Sequence, residues 1–225
     1  MKKSKNISSI SDLNATPYSQ LLSAFDASAD SVPEEYLDLE QFWFDELAHL
    51  IAGHGERGIK ALFSRMPTAD EHHLAAILTH MPAAKSKRRR FHDLVAKHVH
   101  DNRPIVAQAA IEAANQLGYK DLLPDVLTQI YSRSPFVVGA VLRYLGAKSP
   151  KIGRPIIMSA LKSHDPIILK NAIDELDSLR CVESLPGIRA LRNHDAPNVR
   201  EAAEAAVHGL EALLSEDNGD KTKAV

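Results

Sequence analysis

The chain lacks the features that would tie it to an oxidising compartment or a membrane. Its 225 residues include one cysteine, Cys181, which excludes an internal disulfide and a thiolate metal cluster and favours a reducing compartment. No apolar run approaches the roughly 18 residues that cross a bilayer. The polar start of the chain also has no apolar core of a secretory signal. We therefore expect a cytoplasmic protein without membrane contact.

An excess of charge of one sign is missing as well. The 27 Lys and Arg residues nearly balance the 29 Asp and Glu residues, for a formal net charge of -2. This balance argues against wholesale binding to nucleic acid. With 44% hydrophobic and 25% charged residues, the composition is globular and excludes a disordered or collagen-like chain.

Motifs for catalysis are absent from the sequence. There is no Gly-x-Ser-x-Gly elbow and no phosphate-binding loop, and Cys181 lies at a predicted turn, where a lone cysteine is usually a packing residue. Eight of the eleven histidines fall in the first hundred residues, but no two are three or four apart, as two metal ligands on one helix require. We predict no enzyme, no catalytic residue, no metal site and no cofactor.

What the sequence does contain is an internal repeat. Two sets of prolines keep the same spacing of 31 residues: Pro104, Pro135, Pro166 and Pro197, and then Pro124, Pro155 and Pro186. Proline suits the first position of a helix, where its missing N–H costs no bond. Residues ten after each proline of the first set are apolar, as an inward stripe requires. Each proline of the first set is predicted to start a helix.

A second helix completes each repeat. Apolar stripes also occur over 121–131, 151–162 and 182–192. A single helix pair cannot bury its apolar faces alone, so neighbouring pairs must stack. The predicted fold class is all-α: an α-solenoid of stacked helix pairs with a 31-residue repeat and a divergent helical N-terminal cap.

Cap residues are predicted at the ends of these helices. Ser134 and Asp165 each precede a helix-starting proline and are candidate N-caps. Gly118 and Gly146 stand where the preceding helix is expected to end, as C-terminal cap glycines do.

The last repeat carries a family resemblance. The stretch from His194 to Leu210, HDAPNVREAAEAAVHGL, resembles the second helix of a HEAT repeat, particularly the short HEAT-like variety also found in phycobilisome lyases. The segment from His164 to Leu176 is a weaker copy. The resemblance implies an α-solenoid with a ladder between adjacent repeats, for which Asp195 and Arg200 match the pattern. It specifies architecture far better than activity.

The chain divides into four predicted segments. These are a flexible N-terminal tail over 1–15, a divergent helical region over 16–90, HEAT-like repeats over 91–214 and a flexible C-terminal tail over 215–225. Upstream of the repeats, helices are predicted over 42–54, 58–66, 71–81 and 89–100.

An acidic block occupies the N-terminal region. Between Asn6 and Glu56 there are ten acidic residues and no Lys or Arg. Its potential would steer a basic partner, such as a nuclease, to this region. The alternative is a solvated cap, or one that pairs with the chain's own basic residues. The candidate partner-binding residues here are Glu34, Glu35, Asp38 and Glu40.

A basic cluster, Lys85, Lys87, Arg88, Arg89 and Arg90, precedes Phe91. Some solenoids grip phosphates with such residues. No aromatic residues suited to base stacking are interleaved with it, so a solvated helix start or the preceding turn is the favoured interpretation.

The repeats create a second candidate surface. In HEAT-like solenoids the second helices line the concave side, and a rigid groove binds protein with little ordering cost. The alternative is a plain solvated face. The candidate groove residues are Gln108, Glu112, Asn115, Arg143, Lys170, Asp174, Glu201 and Glu204.

These observations favour a non-enzymatic solenoid that binds another protein, as a monomer or within a heterocomplex. One concrete form is an immunity or inhibitor protein that occludes its partner's active site. Two alternatives stay open: an enzyme-associated subunit resembling a phycobilin lyase, which would require a bilin and a partner chain, and a nucleic-acid-binding solenoid that uses the basic cluster.

Overall fold

The structure is a computed structural model that describes residues 10–28, 31–36, 39–80, 82 and 88–223, and within them the side chains of 12–28, 31–34, 36, 39–80, 82 and 91–215. These residues form helices and turns, with no strand among them. The α-helices run over Ile10–Leu13 (α1), Tyr18–Phe25 (α2), Glu40–Gly53 (α3), Glu56–Arg65 (α4), Glu71–His80 (α5), Arg88–Val99 (α6), Pro104–Leu117 (α7), Leu123–Thr128 (α8), Pro135–Lys148 (α9), Pro150–Ala160 (α10), Pro166–Ser178 (α11), Leu185–Ala190 (α12) and Pro197–Lys223 (α13). The predicted all-α fold class is confirmed. Among these helices, none combines the length and apolarity that a bilayer crossing requires.

The helices form two compact units, Met1–Leu117 and Gly118–Val225. In the first unit α5 is central, because it packs against both α3 and α7. Helices α2 and α4 pack on α3, and α6 packs on α7. The core of this unit includes the fully buried side chains of Phe25, Phe44 and Leu47.

The second unit is a helical repeat solenoid. Helix α9 packs against α11, and α11 packs against α13. Leu145, Leu176 and Val207 occupy the same position in successive repeats and are 0%, 0% and 3% exposed. The inward stripe predicted from the 31-residue period is therefore confirmed.

The first set of prolines starts helices as predicted, at the first residues of α7, α9, α11 and α13. Two prolines of the second set explain a difference from prediction, while the third, Pro155, lies inside the continuous helix α10. The stretches 121–131 and 182–192 are not continuous helices, because each is a short α-helix between two 3-10 turns. Pro124 and Pro186 are the second residues of those short helices. Because proline has no backbone N–H, neither residue can form the α-helical hydrogen bond to the preceding turn.

The predicted N-caps differ in outcome. Asp165 is a true N-cap, since its carboxylate accepts the backbone N–H groups of Ile167 and Ile168 at 2.8 and 3.2 Å. Ser134 stands at the N-cap position of α9 but makes no side-chain cap hydrogen bond. The side-chain role predicted for Ser134 is therefore wrong.

The predicted glycine caps also differ. Gly118 follows the end of α7 with φ of +78°, the left-handed conformation that favours glycine. Gly146 lies inside α9, which continues to Lys148, so its prediction as a cap is wrong. A Cβ at Gly146 would lie 3.2 Å from the carboxyl carbon of Glu175 on α11, so a larger residue there would displace the end of that side chain.

The last helix departs from the predicted ladder. Arg200 Nη1 donates to the carbonyl oxygens of His194 and Asp195, both at 2.8 Å, and so binds within its own repeat.

Arg200 and Glu204 stand where Leu169 and Ile173 stand one repeat earlier. The two apolar residues are buried and the two charged ones exposed, so this face is polar in α13 and apolar in α11. The helix also extends past the predicted boundary at residue 214, to Lys223.

Candidate functional site

The start of α3 presents apolar side chains to solvent beside acidic ones. Leu39 and Phe42 are 55% and 49% exposed. Glu34 is exposed in a 3-10 turn, and Glu40 is partly exposed in the first turn of α3. We name Glu34, Leu39, Glu40 and Phe42 the acidic–apolar surface. The Glu35 side chain and Asp38, predicted with this group, lie outside the described residues.

Three consecutive aromatic residues explain why Phe42 faces outward. Residues on a helix are about 100° apart, so three in a row cannot all face one core. Trp43 packs its ring 5.4 Å from that of Tyr36, and Phe44 packs 6.1 Å from Phe25. The two inward rings leave Phe42 on the solvent side. Glu40, in the first turn, is favourably placed with respect to the helix dipole.

Other members of the acidic block are already engaged. The Arg65 guanidinium donates to both carboxylate oxygens of Asp26, with 2.7 Å between Nη2 and Oδ2. Asp45 accepts a hydrogen bond from Gln41 at 3.1 Å, and burial raises the pKa of Asp45 to about 6. These two carboxyl groups of the acidic block are therefore engaged within the chain.

The candidate groove residues of the first unit lie on α7. Gln108, Glu112 and Asn115 are all partly buried. They are four and three residues apart, about one helical turn each, so they share a face of that helix.

In the second unit, most candidate groove residues have partners within the chain. Arg143 donates to the Asn171 side chain on α11, and Lys170 Nζ lies 2.6 Å from Asp174 Oδ2. Glu204 accepts from Arg192 at 2.6 Å. Glu201 is exposed. Exposed ion pairs of this kind are worth little to stability, about 0 to 1 kcal/mol, and can be exchanged for contacts with a partner.

The basic cluster is only partly described. Arg88, Arg89 and Arg90 form the first turn of α6, so these three residues start the helix and do not lie in the preceding turn. Their side chains, together with Lys85 and Lys87, lie outside the described residues.

Two exposed aromatic residues in the second unit escaped the sequence analysis. Tyr131 and Phe136 are 90% and 54% exposed and flank the turn before α9. The repeat does contain a signal for Tyr131. The equivalent residues one and two repeats later are Lys162 and Asn193, and a position that is polar in other copies faces solvent.

A cleft of about 250 Å³ opens in the first unit. Its lining includes Asp26 and Arg65, which pair with each other, and Asp70 and His73, which also pair. These four polar side chains of the cleft are therefore paired with one another.

The buried chemistry-bearing groups include His98 and Cys181. No group of three or more metal-ligating side chains comes together within the described part of the chain. Buried His98 lies 3.0 Å from Asp101, whose pKa is held well below its usual range by hydrogen bonds from Arg103. Cys181 is fully buried, and burial raises the pKa of its thiol, as expected of a packing residue.

No family model and no curated protein matches this chain. Among solved structures, an engineered protein of the Northeast Structural Genomics Consortium is similar over 90% of this chain and 95% of its own, with a TM-score of 0.48 and 12% identity. A designed armadillo repeat protein in complex with the peptide (KR)4 is similar over 87% of this chain and 100% of its own, with a TM-score of 0.48 and 13% identity. Likeness at this level implies nothing about what this chain binds.

Proposed function

We propose that this chain is a non-enzymatic protein-binding solenoid that contacts a basic partner through the acidic–apolar surface. One observation carries the proposal: Leu39 and Phe42 are 55% and 49% exposed within residues 6–56, which contain ten acidic residues and no Lys or Arg. Exposed apolar side chains rimmed by charge are typical of protein contacts. Glu35 and Asp38 belong to the proposed contact by their place in the sequence.

The apolar and acidic side chains would have different tasks. The carboxylates of Glu34 and Glu40 would raise the association rate and select basic partners. Leu39 and Phe42 would supply the desolvated contact that slows dissociation. Affinity should therefore fall with salt mainly through the association rate.

The candidate groove residues of each unit, taken separately, are secondary contacts in this proposal. They are Gln108, Glu112 and Asn115 in the first unit and Arg143, Lys170, Asp174, Glu201 and Glu204 in the second. Because Lys170 and Asp174 pair with each other, binding there would exchange an existing ion pair and add little affinity.

The sharper form of the proposal is an immunity or inhibitor protein. A partner such as a nuclease has a basic groove that normally holds phosphates, and an acidic surface with an apolar centre would occlude it. The protein would act in the cytoplasm, as a monomer or within a heterocomplex. Its single buried thiol is compatible with a reducing compartment.

The test is a pull-down from lysate of the source cells with the double variant Leu39→Ser/Phe42→Ser. The matched control is Tyr131→Ser/Phe136→Ser, which removes two exposed apolar side chains from the other unit. We expect one stoichiometric basic protein bound by wild type and by the control, and lost from the Leu39/Phe42 variant. Glu34→Lys/Glu40→Lys should weaken the same complex and flatten its dependence on salt.

Two results would overturn the proposal. One is a partner retained by the Leu39/Phe42 variant and lost from the control. The other is recovery of nucleic acid or a bilin pigment in place of a protein, which would move the site to the basic cluster or favour a lyase subunit.

A further inference from the structure

His73 joins the ends of two helices in the first unit. It belongs to α5, and its Nδ1 lies 2.6 Å from Asp70 Oδ1, just before that helix. Its Nε2 lies 2.6 Å from the carbonyl oxygen of Phe25, the last residue of α2. Asp70 Oδ1 also accepts the backbone N–H of His73 at 3.0 Å and so caps α5. One imidazole ring thus links the C-terminus of α2 to the N-terminus of α5.

Both partners of the His73 ring are hydrogen-bond acceptors. The Phe25 carbonyl has no proton to give. For Asp70, burial acts to raise the pKa, but hydrogen bonds from His73 outweigh it and leave the pKa lowered, so the carboxylate stays ionised. A neutral imidazole has one N–H and one lone pair, whereas an imidazolium has two N–H groups. Only the charged ring satisfies both contacts.

The ring also covers the aromatic core. His73 stands edge-on to Phe25 with ring centroids 5.0 Å apart, and its centroid lies 4.0 Å from that of Phe44. Both phenylalanines are 0% exposed, and the His73 side chain is 12% exposed. Release of α2 from His73 would bring these two rings towards solvent.

We propose that His73 is a protonation-dependent latch that holds α2 on α5 while its ring is charged. Loss of one proton leaves a lone pair facing an acceptor and removes one of the two bonds. As the pH rises and the ring loses that proton, the hold of α5 on α2 weakens and α2 opens more often. The latch is a regulatory device and does not depend on the proposed partner.

Other charged groups lie near His73, and the control variant is chosen from them. Asp26, which follows α2, is paired with Arg65 at the end of α4. His72, the neighbour of His73 on α5, contacts Gln41 of α3 at 3.3 Å. From the side of α7, Arg103 interacts electrostatically with Asp70 and Glu71. Of these groups, His72 is the other imidazole on α5, so its variant is the matched control.

The test is amide hydrogen exchange of the full chain at pH 5.5 and 8.0, corrected for intrinsic exchange rates. We expect protection of the amides of 18–26 to fall at least tenfold from pH 5.5 to 8.0 in wild type. In His73→Gln, protection should be low at both pH values, and His72→Gln should keep the wild-type response. Equal protection of wild type at both pH values, or an unchanged response in His73→Gln, would overturn the latch.

A second measurement covers the case in which His73→Gln does not fold. Nitrogen-15 NMR of the histidine rings in wild type reports directly on ring protonation. At pH 5.5 we expect both ring nitrogens of His73 to carry protons, with the ring assigned by its proximity to Phe25. A ring with one bare nitrogen at pH 5.5 would contradict the proposal.

Discussion

Gly58 on α4 lies directly against the backbone of Ile51 on α3: a Cβ at Gly58 would stand 2.7 Å from the Ile51 carbonyl carbon and closer still to its oxygen. The obstacle is backbone, which cannot rotate away as a side chain can. The packing of α3 against α4 therefore requires the absence of a side chain at position 58.

The first prediction is that Gly58→Ala destabilises the fold. Alanine gains about 1 kcal/mol of helix propensity over glycine, but the clash forces the two helices apart at a cost of roughly 1 to 3 kcal/mol or more. We expect a lower urea midpoint.

Gly53→Ala is the control for this substitution. Gly53 ends α3, and a Cβ there would meet nothing within 4 Å. Its urea midpoint should be unchanged or slightly raised, and an equal loss in both variants would rule out the steric explanation.

The second prediction concerns equivalent N-cap positions. Asp165→Ala removes the acceptor of two backbone N–H groups and should cost about 1 kcal/mol. Ser134→Ala removes a side chain that makes no cap bond and should leave the free energy of unfolding nearly unchanged. Chemical denaturation of both variants measures the difference, and equal effects would contradict the cap assignment.

The third prediction tests the inward stripe of the solenoid. Leu176→Ala removes a fully buried side chain from α11 and should cost about 2 to 5 kcal/mol. Leu214→Ala is the control, because Leu214 is 40% exposed and its loss should change the unfolding free energy by less than about 0.5 kcal/mol. An unchanged urea midpoint for Leu176→Ala would refute its place in the core.

The fourth prediction concerns His80, whose Nε2 is buried without a hydrogen-bond partner. Burial, reinforced by nearby His49, lowers the pKa of His80 from 6.5 to about 4. Between pH 4 and 6.5, His80 is protonated in the unfolded chain and neutral in the folded one. The stability that the neutral ring contributes is therefore complete above pH 6.5 and is lost as the pH falls towards 4. His80→Leu should remove this loss. Allowing for screening by solvent, we expect the stability of His80→Leu relative to wild type to be about 1 to 2 kcal/mol greater at pH 5 than at pH 7.5.

Asp45 acts in the opposite direction on the same helix pair. Burial raises its pKa from 3.8 to about 6, so the folded chain binds the extra proton between these values. The stability that protonated Asp45 contributes is complete below pH 3.8 and is lost as the pH rises towards 6. Asp45→Asn should therefore raise stability at pH 7 and steepen the acid loss below pH 6. Urea unfolding of both variants across pH 4 to 7.5 checks the two signs, and parallel pH profiles would contradict them.

The sequence by itself determined the repeat and its helix starts. Proline at the first helical position and apolar residues at helical spacing act within one helix, so Pro104, Pro135, Pro166 and Pro197 could be placed without knowing any neighbour. The buried stripe at Leu145, Leu176 and Val207 followed from the same local pattern.

Only the tertiary structure decided which residues are engaged and which are available. Asp26 meets Arg65 and Phe25 meets His73 across 39 and 48 residues of chain, and no periodicity predicts such contacts. Gly146 is a glycine of the kind that caps helices, but it lies inside α9 next to the Glu175 side chain of another helix. Burial and pairing depend on residues distant in sequence, so the exposed surface at Leu39 and Phe42 appears only once the packing of α3 is known.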